Sequence, residues 1–472
     1  MVFSGLLFLF AYLPAVLAIY YILPGRGRKG LRNAFLFFAS LVFYAWGEPV
    51  YVLLMLFTIC VGWFTGLFLQ RWSQDRQKAR YILLLSVIVN IGILCFFKYG
   101  NFIVDNLNRL AGLNLGSLHL PLPLGISFYT FQVMSYTVDV YRGDAPAQPN
   151  ILSFGAYIAM FPQLIAGPIV RYHSIAVQLD ERRETLRLLG SGAGLFTVGL
   201  AKKVLLANNI GILWSYIKAL PPAEMTVLAA WSGIAAFGLQ LYFDFSGYSD
   251  MAVGLGRMLG FEFERNFFYP YISGSITEFW RRWHISLGVW FREYVYFPLG
   301  GSHRSPRRTV LNLLVVWAAT GLWHGANWNF LLWGLYYFLF LAGEKFVWAG
   351  LLDKAPKGLR HLYVLVIVMA GWALFVFEDM GSFGAFVRAL GGLAGGGWFN
   401  DRILYYLSSW GWVLLAAAVG ATPLAASALR RLEAKQPALA ACAKPVLMLA
   451  GLLLSVAWLV DSSYNPFLYF RF

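Results

Sequence analysis

The chain has 472 residues, 59% of them hydrophobic and only 12% charged, and its 37 Lys and Arg against 22 Asp and Glu give a formal net charge of +15. A soluble domain is roughly 45–50% apolar and about 25% charged, so this composition excludes an ordinary soluble enzyme, a disordered chain, a collagen-like fibre and a disulfide scaffold. The mean hydropathy of +0.63 and the unbroken apolar runs at 5–22, 50–69 and 444–460 point to an all-α, polytopic helical membrane protein; a β-barrel would alternate in polarity.

The opening Met1-Val2-Phe3-Ser4 carries no basic region, so residues 5–22 read as a retained first helix, not a cleaved signal. Arg26, Arg28, Lys29 and Arg32 follow it, and Arg71, Arg76, Lys78 and Arg80 follow 50–70. Between these clusters, 33–46 and 50–70 form a hairpin about Gly47-Glu48-Pro49. Basic loops stay cytosolic, which places the N-terminus outside. Residues 81–98 then run outward to a polar stretch at 101–114. The basic run 303–308 lies inside; 309–324 ascends, 326–345 descends to the basic 354–360, and 361–377 ascends again. A Gly-rich outer stretch at 382–402, with a partial helix, precedes a descent over 404–428 to Arg430, Arg431 and Lys435. The last span, 444–460, leaves the C-terminus extracytoplasmic.

This pattern predicts about eleven transmembrane helices in one integral domain, 1–472. Polar residues interrupt it at 120–145 and 245–300. Such backbone survives at membrane depth only against protein or a water-filled cavity, so re-entrant or amphipathic helices around a central cavity or tunnel are expected there. A cytosolic loop over 242–300 is the competing reading. The positive charge is explained by cytosolic loops beside membrane lipid, not by nucleic acid. Cys60, Cys95 and Cys442 lie far apart, and no metal-ligand spacing is visible.

Several stretches carry residues suited to chemistry. In Gly321-Leu322-Trp323-His324-Gly325-Ala326-Asn327-Trp328, an ionisable ring sits within a membrane segment, a functional candidate by default; the alternative is a neutral His hydrogen-bonded in the bundle. Gly321, Gly325 and Ala326 permit close backbone approach. A helical rise of about 24 Å over 309–324 sets His324 in the outer half of a hydrocarbon core about 30 Å thick. Over 277–286, Trp280 and His284 fall four apart on one helical face and Arg281 and Glu278 on another. Arg281 and Arg282 suit a phosphate group or, equally, an interfacial helix with snorkelling side chains. In 241–250, Asp244 is placed to orient an imidazole, whereas Asp250 reads as a helix cap. Two Pro- and Gly-containing stretches, 121–132 and 161–168, read as broken helices. No phosphate loop, dinucleotide fingerprint or nucleophile elbow occurs.

The opening Met1-Val2-Phe3-Ser4, 123–132, Gly167-Pro168, 242–250, 275–287, 323–328 and the closing Tyr464-Asn465-Pro466-Phe467-Leu468-Tyr469-Phe470 together resemble the membrane-bound O-acyltransferase family, in the branch of alginate and related polysaccharide O-acetylation proteins. The resemblance implies that the family's membrane-embedded histidine is His324 and its second, more cytosolic polar position His284. It implies a bacterial inner-membrane acetyltransferase with no bound cofactor. Its donor is cytosolic acetyl-CoA and its acceptor an extracytoplasmic polysaccharide, alginate-type first, cellulose or peptidoglycan otherwise. It further implies a separate extracytoplasmic SGNH-type acetyltransferase as partner. On this reading His324 acts as general base or acyl acceptor. His284, Arg281, Arg282 and Trp280 line the donor's path, and Tyr242, Asp244, Trp323 and Asn327 complete the walls. A transporter gated by broken helices and a scaffold for an outer transferase are the competing classes.

Overall fold

Every regular element among the described residues is a helix, as lipid demands of a backbone that finds no water to bond. The computed structural model describes residues 1–24, 29–118, 120–461 and 468; Arg26 and Arg28 of the first basic cluster, and 464–467, 469 and 470 of the closing motif, lie outside them. Six described helices are long and apolar enough to cross a membrane: Tyr51–Arg71, Arg76–Ala111, Leu186–Lys218, Val227–Met258, Lys357–Val376 and Pro437–Asp461. A seventh is added if Asp401–Ser409 and Gly411–Gly420, bent by 59°, count as one span. By that measure the described helices do not reach the expected eleven. Phe8–Ile22 is shorter, and Pro306–His324 and Trp328–Phe346, 19 residues each, mix polar and amphipathic aromatic residues into their apolar runs.

The chain packs as two compact units, the first comprising Met1–Phe196 and Ser249–Arg265. A buried cluster in this unit pairs its charges, because a lone buried ion is costly. The Glu184 carboxylate accepts hydrogen bonds from Tyr20 at 2.8 Å and Lys29 at 2.6 Å and pairs with Arg32 at 3.0 Å. Burial opposes its ionisation, but those bonds prevail and hold its carboxyl down at about 2. Gly125 has φ +72, and a Cβ there would lie 2.6 Å from the Leu164 carbonyl oxygen. Ile126–Arg142 starts at the next residue, so 121–125 is a loop feeding an intact helix, not a break within one. The second Pro-Gly stretch does break: Ile151–Ala159 yields at Met160 to the four-residue helix Phe161–Leu164.

The second unit, Thr197–Tyr248 and Asn266–Phe472, holds both candidate histidines. Ser305 caps Pro306–His324 by accepting from Arg308 N, with Pro306 at the first helical position, where its missing N–H costs nothing. Asn327 caps the return helix Trp328–Phe346. The two helices meet backbone to backbone. A Cβ on Gly321 would lie 2.4 Å from the Phe330 carbonyl oxygen, and one on Gly334 2.3 Å from that of Trp317. The interrupted region divides differently from expectation. Residues 245–258 continue the 32-residue helix Val227–Met258, whose Asp244, Ser246 and Ser249 are buried. Only beyond it come Ile276–Arg282 and Ile285–Phe291, seven residues each, far too short to cross a bilayer.

Candidate active site

His324 ends its helix, and the next residue, Gly325, is fully extended. The ring is buried, with centroid distances of 4.8 Å to Trp333, 5.0 Å to Trp323 and 5.7 Å to Phe375. Its Nδ1 lies 2.8 Å from the Thr320 carbonyl oxygen. A carbonyl only accepts, so the network assigns the proton of the neutral ring to Nδ1 and the lone pair to Nε2.

His284 is reached differently. Ile276–Arg282 stops at Arg282, Trp283 is extended, and His284 adopts φ +45, an uncommon conformation for a residue with a Cβ. Asn266 holds it there. Its backbone carbonyl accepts from Ile285 N at 2.9 Å, and its Oδ1 accepts from Ser286 N at 3.1 Å and from Ser286 Oγ at 2.9 Å. An atom bonded by a backbone N–H must be the amide oxygen, so His284 Nδ1, 3.2 Å away, is the donor. The lone pair again falls on Nε2. Both imidazoles pack edgewise on one indole: Trp323 is 6.0 Å from His284 and 5.0 Å from His324.

A cavity of about 790 Å³ opens on this site. Arg281, Arg292, Lys345 and Arg360 supply its positive charge; Lys345 lies in the last turn of Trp328–Phe346 and Arg360 in the first turn of Lys357–Val376. Trp280, Trp317, His284 and Thr320 line it further in. The wall therefore includes His284 and reaches Thr320, one turn before His324, but not the His324 ring itself.

The expected Trp280–His284 helical face does not form, because the helix ends between them. Trp280 instead packs on Trp317 at 4.9 Å and Tyr337 at 4.8 Å. Glu278 pairs with Arg282, not Arg281, at 2.7 Å; Arg282 also covers the Phe268 ring, and Arg281 is an exposed cation on the cavity wall. Asp244 orients no imidazole: Lys203 Nζ lies 2.8 Å from its Oδ1, and its Oδ2 accepts from Leu468 N at 2.8 Å. Tyr242 sits in the aromatic core, 5.6 Å from Tyr271 and 6.2 Å from Trp283. Asn327 spends its side-chain oxygen on Trp328 N at 2.6 Å.

The profile of MBOAT, the membrane-bound O-acyltransferase family, matches residues 38–378, a stretch that contains both histidines and most of the cavity wall. The chain belongs to the membrane-bound O-acyltransferase family. It is thus an acyltransferase and a multi-pass membrane protein. It is 44% identical over 388 residues to the protein named "Probable alginate O-acetylase AlgI" of Azotobacter vinelandii, covering 80% of this chain and 76% of that one. It is 32% identical over 433 residues to a peptidoglycan O-acetyltransferase of Helicobacter pylori, covering 84% and 80%. It is 28% identical over 356 residues to a teichoic acid D-alanyltransferase of Bacillus subtilis, covering 72% and 87%.

In this acyltransferase, sequence reasoning missed Asn266, Thr320, Glu344 and Lys203. Only Thr320, one turn before His324 on the same helix, is local to its partner. Asn266 lies 18 residues before His284, and Lys203 lies far along the chain from Asp244, so their pairings exist only in the folded chain. Lys345 and Arg360 had a signal, a basic residue at the edge of a predicted span, but it could not be told from the ordinary bias of cytosolic loops.

Proposed function

We propose that the 472-residue chain works as one integral acetyltransferase of a bacterial inner membrane, with both termini extracytoplasmic, and uses acetyl-CoA from the cytosol to acetylate an extracytoplasmic polysaccharide of the alginate type. The observation that carries this is the pair of imidazoles, each with Nδ1 on an amide oxygen and its lone pair on Nε2, one of them on the wall of a cavity with a cationic mouth. The cations and the basic loops share one end of the hairpin, and the His324 turn lies at the other. Cations near the mouth suit the phosphates of CoA, and a volume of about 790 Å³ is in the range of ligand sites.

In the proposed reaction, His324 Nε2 takes the proton from an acceptor hydroxyl as its oxygen attacks the thioester carbonyl. The carbon–sulfur bond breaks, the acetyl carbonyl forms again as an ester, and CoA leaves with the proton on sulfur. His284 lines the donor's route. Trp280 and Trp317 line the cavity, and both pack against Trp333, at 5.4 and 6.2 Å, whose ring lies 4.8 Å from that of His324. The acceptor hydroxyl belongs to the Ser of an extracytoplasmic SGNH-type partner, which completes transfer to the sugar. The names of the alginate and peptidoglycan relatives support a polymer acceptor.

The purified chain reconstituted in proteoliposomes with the SGNH-type partner, given acetyl-labelled acetyl-CoA, is expected to cleave the thioester and pass label to the partner's Ser hydroxyl. Label crossing the bilayer with its thioester intact would identify a carrier. In the same vesicles, Arg281→Ala is expected to weaken CoA binding about tenfold, the loss of one charge-assisted contact. Arg282→Ala, already committed to Glu278 and Phe268, should change it far less. Equal effects of the two variants would count against the placement of CoA along this wall.

A further inference from the structure

The helix Ile276–Arg282 carries Trp280 and Arg281 into the cavity and delivers the chain to His284, yet its seven residues hold little helical stability of their own. Its first-turn N–H groups would be orphaned. Locally, Ser275 Oγ accepts from Glu278 N at 3.0 Å, and Glu278 returns a bond to Gly274 N at 2.8 Å. The remaining two are taken by a side chain from another helix. Glu344, on Trp328–Phe346, accepts from Ile276 N at 2.6 Å and from Thr277 N at 2.8 Å. It also accepts from Thr277 Oγ1 at 2.6 Å and Tyr363 OH at 3.2 Å. Its carboxylate is buried and every oxygen is engaged, so it is not poised to exchange a proton with a substrate. A carboxylate at a helix N-terminus is also favoured by the helix dipole.

We propose that Glu344 is a positioning residue of the transfer reaction: it fixes the short helix against the helix that returns from His324, and thereby holds Arg281 and Trp280 in register for the donor. The inference rests on the proposed function, since it assigns the donor to this cavity. Glu344→Gln is the sharp test, because its amide NH2 must face either Ile276 N–H or Thr277 N–H, donor against donor. Rates of thioester cleavage at varied acetyl-CoA in proteoliposomes are expected to show KM raised about tenfold with kcat within about twofold, as one charge-assisted bond is lost. Thr277→Val removes one accepted bond and leaves the carboxylate, so it should raise KM by about threefold; it carries the test if the Gln variant fails to accumulate. Wild-type turnover with KM unaltered in the accumulating variants overturns the positioning role alone. Loss of kcat in proportion to folded protein, at constant KM, overturns it too and reduces Glu344 to a stability residue. Wild-type protein that cleaves no thioester overturns the functional reading and the inference together.

Discussion

His324→Ala is expected to abolish polymer O-acetylation, with a loss of at least about a thousandfold, within the range for removal of a positioned general base. The argument is geometric. Thr320 holds the Nδ1 proton, so the basic nitrogen is Nε2, and the indole beside it also packs on His284. The Ala variant also leaves a hole among Trp323, Trp333 and Phe375, which costs packing energy. His324→Asn separates the two effects: its amide N–H can still donate towards Thr320, but it offers no basic nitrogen. Both variants should be inactive at unchanged abundance in the membrane, measured as O-acetyl content of secreted polymer against an immunoblot. Activity retained in either ends the assignment of His324 as the base.

Lys203→Met is expected to produce the largest loss of stability, roughly 3–5 kcal/mol, because it strands a buried carboxylate without its counter-ion. Lys203 and Asp244 are both almost wholly buried, 2.8 Å apart, and Lys203 Nζ also donates to Asn208 Oδ1 at 2.8 Å. Among the described residues Asp244 would retain the Leu468 N–H, one bond for a full charge. The double variant Lys203→Met with Asp244→Leu removes both charges and should recover most of the loss, since apolar replacement of a buried pair is often near neutral. Thermal unfolding of the detergent-purified protein reads the cycle. A single Lys203→Met variant as stable as the wild type would show that the pair contributes nothing.

His324 was legible in the sequence because three local features coincide there: an ionisable ring in an apolar run, glycines on both sides, and basic feet at both ends of the hairpin. Of these, Gly321 lies where the two backbones touch, while Gly325 faces the Phe330 ring. His284 was legible as a candidate, but not its setting. Helical spacing put Trp280 on its face, whereas the helix stops at Arg282 because Asn266 supplies bonds that fix His284 at φ +45. Glu278 had arginines at both i+3 and i+4, and both spacings suit an ion pair. The Phe268 ring and carbonyl, which hold Arg282 from 14 residues away, decided between them.

The class of solvent, the helical architecture and the family were all readable along the chain, because partition into lipid is a property of local composition and each helix satisfies its own backbone. Which polar groups meet was settled by folding: Asp244 with Lys203, Ile276–Arg282 with Glu344, His284 with Asn266. Those pairings follow from where distant segments come to rest, and a few ångströms separate a bonded carboxylate from a stranded one, a distance that no spacing along the chain encodes.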